Sequence, residues 1–167
     1  MYERWNRFAS IKIGGLIVGA LALVKSFGDI LNPENGKIIA GTLNNEKNHF
    51  VNTNRLLTNN APSRNSSFVQ NTTLGVVATN ANLCKAEAKR LSMSAIDSLT
   101  RCISPSHTVY DGYVIFSIAT GQTEANFNYL NTLGTQVRAL VVQRAIVEAS
   151  SLFGIPSYKD LKKEKRI

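Results

Sequence analysis

A layered α+β or α/β unit is the fold class this sequence predicts, and three observations predict it. From Thr72 onward two β-branched apolar runs alternate with two stretches whose apolar residues recur every three or four positions, giving strand, helix, strand, helix. Residues 1 to 43 read as extended structure. Between these parts lies an Asn-rich segment with neither periodicity. A chain of 167 residues is long enough for one domain with a core and too short for two full ones. Its 44% apolar and 18% charged residues exclude a disordered chain.

The elements follow in order. "IKIGGLIVGALALV" (11 to 24) comes after Arg4 and Arg7 and carries Lys12 at its start, a pattern shared with signal peptides, yet it is short for a membrane span. "KSFGDI" follows where a small-x-small cleavage site would stand, so the run is read as a buried, central strand. "NPENGK" (32 to 37) is a turn, and "KIIAGTL" is the returning strand of a hairpin. From Asn44 to Gln70 the chain is rich in Asn, Ser and Thr; a loop of that length inside a compact domain is uncommon unless functional or disordered. "TTLGVVATN" (72 to 80) is a strand. The stretch around "KAEAKRLSMSAIDSLTR" places Cys84, Ala88, Leu91, Ala95, Leu99 and Cys102 on one helical face. "YVIFSIA" is the next strand, ending at Gly121. The last long helix spans about 125 to 152, with Leu130, Leu133, Val137, Leu140, Val141, Ala145, Ala149 and Leu152 on its apolar face, and "FGIPSY" ends it.

Charge and cysteines narrow the partners. The formal net charge is +8, but much of it lies at the two ends, and "KDLKKEKRI" reads as a solvated tail. Neither nucleic acid nor membrane is therefore expected as a partner. Cys84 and Cys102 flank one helix and would stand roughly 27 Å apart, beyond the reach of a disulfide. Free thiols suit a reducing compartment, so a cytoplasmic location is expected. His49 and His107 lack zinc-type spacing with the cysteines, and neither a metal nor another cofactor is expected.

Common catalytic signatures are absent: there is no GxSxG, P-loop, HExxH or GxGxxG. His107 reads as a structural loop histidine and Asp111, before Gly112, as a turn residue. Thr72 has a specific chemical possibility. A threonine hydroxyl is a weak nucleophile without an adjacent base. Cutting the chain just before it frees an α-amine with a reference pKa near 8, which can serve as that base. Such a site needs a flexible segment ending at the cut and a strand beginning there, and both are present around Asn71 and Thr72. Strand propensity alone also explains a Thr-Thr pair.

The segments "FGDILNPENGKIIAG", "NTT", "GVVATNA", "KAEAKRL", "HTVYDG", "FSIATG" and "GIPSYKDL" together resemble the L-aminopeptidase/D-amidase/D-esterase family, which includes the nylon-oligomer hydrolases. The resemblance runs from Phe27 to Leu161. It implies an αββα-layered fold, related to ornithine acetyltransferase, in a hydrolase matured by self-cleavage between Asn71 and Thr72. On this reading residues 1–71 are the end of an α piece, with an Asn-rich processing loop over about 44–71, and residues 72–167 are the β piece. Thr72 matches the nucleophile, its new amine the general base, and Asp111 the first of two acids near it. The second acid falls at Tyr113, a phenol that carries no negative charge near neutral pH. In "VKSFGD", Lys25 stands where the family has an oxyanion-holding Asn; such a donor is typically worth about 10²–10³ in rate.

The resemblance also implies that the chain corresponds to the C-terminal half of the family's fold, incomplete at the N-terminus, with apolar strand faces left open. Substrates would be short peptides, amino-acid amides or oligoamides. A homo-oligomer or a separately supplied N-terminal half is the expected partner. The alternative is a non-catalytic remnant or assembly subunit that folds with that half.

Overall fold

The computed structural model describes residues 5–46, 49–59 and 71–163, with side chains from Arg7 onward. Its main sheet has four strands in the order β1 (Trp5–Ile13), β2 (Leu16–Val24), β5 (Asn71–Ala81) and β7 (Asp111–Thr123). β1 and β2 form a hairpin through Gly14 and Gly15, with Ile13 paired to Leu16. Gly14 takes a φ of 59°, a left-handed conformation that glycine adopts without a Cβ penalty. β2 is antiparallel to β5, and β5 is parallel to β7. The apolar run of residues 16–24 is therefore a central strand, as expected. It returns on residues 5–13 and not on "KIIAGTL".

That segment belongs to a second, three-stranded sheet, ordered β4 (Ile38–Ala40), β3 (Asp29–Leu31) and β6 (Ile103–Ser104). "NPENGK" does make its turn, but between three-residue strands. The Asn-rich segment departs from its expected irregularity as well: Thr53–Asn59 form a short helix, α1. Its start is tied down by Asp29, whose buried carboxylate accepts hydrogen bonds from the Thr53 N–H at 2.6 Å and its Oγ1 at 2.7 Å. The last part of the expected processing loop, residues 60–70, lies outside the described residues.

One face of the main sheet is covered by α2 (Lys85–Asp97) and α3 (Phe127–Val147). The helix read between the two cysteines ends early: a 3₁₀ turn over Ser98–Arg101 follows α2. Leu91, Ala95, Leu99 and Cys102 of that face are buried, Cys84 is exposed at the N-cap, and both thiols are free. α3 is shorter than expected, ending at Val147, after which Leu152 bridges to Ile155. It buries Leu130, Leu133, Val137, Val141 and Ala145 as read from the spacing. Gly134 lets α2 and α3 approach, since a Cβ there would lie 2.8 Å from Leu91 Cδ1. A short helix, α4 (Tyr158–Lys163), ends the described chain. Among the described residues no helix is long and apolar enough to cross a membrane.

The opposite face of the sheet is open. β2 alternates between buried residues toward the helices and Ile17, Leu21 and Leu23 away from them, as a pleated strand dictates. Register aligns Phe8 with Leu21, Leu21 with Val76, and Val76 with Phe116, so one apolar row crosses all four strands. Phe8 is 74% and Phe116 61% exposed.

Candidate active site

The parallel pairing of β5 and β7 sets Asn71 beside Asp111, Thr72 beside Gly112 and Thr73 beside Tyr113. Side chains alternate across a sheet, so this register sorts the expected site residues by face. Thr72 is exposed on the open face, whereas Thr73 is completely buried on the helix side, where its hydroxyl lacks a hydrogen-bond partner. Of the Thr-Thr pair, only Thr72 presents its hydroxyl to an incoming molecule.

Gly112 leaves a space in front of that hydroxyl. A Cβ on Gly112 would lie 3.7 Å from Thr72 Oγ1 and 3.9 Å from the Asn71 carbonyl oxygen. The hydroxyl and the carbonyl oxygen of the preceding residue thus both lie beside exposed Gly112, where no side chain covers them. A hollow of about 330 Å³ opens next to it, lined by Leu23, Val24, Lys25, Thr72 and Leu74. The backbone at this end is held from both sides: Thr72 N–H donates to Lys25 O at 2.9 Å, and Asn71 N–H to Tyr110 O at 2.9 Å.

Lys25 is therefore brought to Thr72, while Asp111 and Tyr113 are brought to each other. Both leave β7 on the face opposite Gly112 and the Thr72 hydroxyl. The Asp111 carboxylate accepts from the Phe27 N–H at 3.0 Å to each oxygen and from the Tyr113 hydroxyl at 3.1 Å. Burial raises the Asp111 pKa above the ordinary carboxylate value, and the Phe27, Tyr113 and Gly28 hydrogen bonds partly offset it. Burial, with the Asp111 charge beside it, pushes the Tyr113 phenol upward as well, so it remains a protonated donor. Where a second carboxylate would repel Asp111, a neutral hydroxyl supports it. Asp111 is the first residue of β7 and not a turn residue. The His107 and Tyr113 rings pack edge to face, centroids 5.1 Å apart.

The turn of residues 25–28 connects the two groups: its Lys25 carbonyl holds Thr72 and its Phe27 N–H holds Asp111. Gly28 is required there, because a Cβ would sit 2.5 Å from the Pro105 carbonyl oxygen. One site-adjacent residue was missed in the sequence. Arg138, on α3, is completely buried beneath β5 and donates to Leu74 O at 3.4 Å and Leu21 O at 3.3 Å. It fits because residue 75 is Gly; a Cβ would lie 2.6 Å from the Arg138 Cζ. A glycine inside the strand pattern "TTLGVV" was the available signal, since it marks close approach of another group.

Comparison with known proteins gives consistent matches. The description of peptidase family S58 matches residues 7–153. An uncharacterized aminopeptidase of Mycobacterium leprae is 33% identical over 174 residues, covering 90% of this chain and 46% of that protein. The chain thus spans about half the length of the curated relatives it matches. Among solved structures, a Burkholderia sp. beta-aminopeptidase superposes with a TM-score of 0.59 at 15% identity, over 99% of this chain and 49% of that one. The L-aminopeptidase D-Ala-esterase/amidase of Ochrobactrum anthropi, described as a variant of the Ntn hydrolase fold, gives 0.56 at 13%, over 96% and 48%. At these identities the likeness establishes the fold alone, an α+β arrangement corresponding to about half of each of those chains.

Proposed function

The chain belongs to peptidase family S58, and on that premise we propose that it is a self-processing amide hydrolase of aminopeptidase type with Thr72 as nucleophile. The contrast between Thr73, sealed beneath the sheet, and Thr72, exposed beside Gly112 with the Asn71 carbonyl next to it, carries this reading.

In maturation the Thr72 Oγ1 attacks the Asn71 carbonyl carbon and gives up its proton. The Asn71–Thr72 C–N bond breaks as the Thr72 nitrogen leaves protonated, and water then hydrolyses the resulting ester. The products are an α piece ending in the Asn71 carboxylate and a β piece starting with a free Thr72 amine. That amine takes the Oγ1 proton in later turnovers and passes it to the leaving amine of the substrate. Lys25 stabilises the oxyanion, and Asp111, supported by Tyr113 and the Phe27 N–H, orients the amine end of the strand. Short peptides, amino-acid amides and oligoamides such as nylon oligomers are the substrate classes. Because Thr72 lies on the open face, the layer that covers this face also completes the substrate pocket, and it comes from a second subunit or an N-terminal half.

Hydrolysis of amino-acid anilides tests the reading. Thr72→Ala is expected to lose at least about 10³-fold in rate, with Thr72→Ser retaining part of the activity. Undiminished hydrolysis by Thr72→Ala would overturn it and favour a nucleophile elsewhere. A wild-type chain inactive even when its apolar face is covered would favour a non-catalytic assembly subunit.

A further inference from the structure

Among the described residues Arg138 is the most anomalous charge. It is fully buried in the layer between α3 and the sheet, and no described carboxylate lies within ion-pair distance of it. Its Nε lacks a partner, and its two hydrogen bonds reach main-chain carbonyls only. Burial lowers its pKa to about 10, which leaves it cationic at neutral pH. Isolating a charge in this way is costly, and such groups cluster at functional sites.

Its position is specific to the strand that carries Thr72. Leu74 and Leu21 flank the paired residues Gly75 and Ala22, so the guanidinium bridges β5 and β2. The next tie between these strands toward the site is the Thr72 N–H to Lys25 O bond. Leu74 lies two residues from Thr72, so the cation stands about 10 Å from the Thr72 nitrogen at strand spacing.

We propose that Arg138 is a positioning residue for Thr72, anchoring its strand to β2 and holding the freed amine in its neutral, basic form. The inference rests on the nucleophile reading above. A neighbouring positive charge disfavours protonation of an amine, lowering its pKa from a reference near 8 toward neutrality. At about 10 Å and an effective dielectric of about 20 the shift is about one unit. Among the described residues the other charged or titratable groups are Cys102 beside Arg138, whose thiol burial keeps protonated, Lys25 on the 25–28 turn, which acts in the same direction, and Asp111 and Tyr113 on β7. The Asp111 carboxylate acts oppositely, and the Tyr113 phenol stays neutral.

The test compares the full chain with Arg138→Lys, Arg138→Met and Gly75→Ala, the last displacing the guanidinium without removing its charge. In the cleaved protein, NMR titration of the Thr72 amine should move up by about one pH unit in Arg138→Met and stay within a few tenths in Arg138→Lys. Equal titration midpoints in wild type and Arg138→Met overturn the electrostatic role. In the uncleaved chain, amide exchange at Thr72 should be about tenfold faster in Arg138→Met and Gly75→Ala, with the β1–β2 hairpin unchanged and Arg138→Lys restoring protection. Uniform change, or none, overturns the anchoring role. A wild-type chain that never cleaves, even with its apolar face covered, refutes the nucleophile reading instead, and exchange alone then decides whether Arg138 anchors the strand.

Discussion

Asp111 links stability to pH at the proposed site. Burial raises its folded pKa above the 3.8 of the unfolded chain, so the folded state holds the proton more tightly. Its contribution to stability is therefore full below 3.8 and is lost as pH rises through the higher folded value. Asp111→Asn removes that loss, since a neutral amide does not titrate. As pH rises from below 3.8 through the range above it, urea midpoints should fall less in the variant than in wild type. An equal or larger fall in Asp111→Asn would show that another group governs this range. The Thr-Thr pair itself was partly legible from sequence. Spacing marked Thr72 as a possible nucleophile, but only the β5–β7 register separates it from Thr73, since both suit a strand.

At the scale of elements, the 25–28 turn places the site by joining Lys25 to Thr72 and Phe27 to Asp111. Gly28→Ala forces a Cβ against the Pro105 carbonyl and should destabilise the fold by about 1–3 kcal/mol. Thermal unfolding should then occur several degrees lower, and an unchanged midpoint would contradict this tight packing. Alternation and helical spacing were enough to find β2, β5, β7, α2 and α3 and most of their buried faces. They were not enough to pair the strands, because pairing is long-range. The hairpin of β1 on β2 was hidden by the basic residues near Trp5–Ile13, which read as a signal-like flank. The α1 turn escaped because Thr53–Asn59 has no apolar stripe and its start is held by Asp29, two dozen residues earlier in the chain. Arg138 escaped because a lone arginine in a helix reads as solvent-facing unless the glycine opposite it is recognised.

On the scale of the whole molecule, the helices cover one face of the main sheet and the other is apolar and exposed. Faces of this kind mark interaction surfaces. Phe116→Thr keeps a β-branched residue in the strand while removing a large exposed ring. It should weaken concentration-dependent association in sedimentation experiments and reduce binding of an apolar dye, with folding stability changed by less than about 1 kcal/mol. Undiminished association would place the interface elsewhere. That Thr72 is the nucleophile of a self-processing hydrolase is most directly tested by intact-mass spectrometry of the purified chain over time. The expected result is conversion of the 18.3 kDa chain into pieces divided between Asn71 and Thr72, abolished by Thr72→Ala. An intact wild-type chain after prolonged incubation with its apolar face covered, or cleavage unaffected by Thr72→Ala, would contradict it.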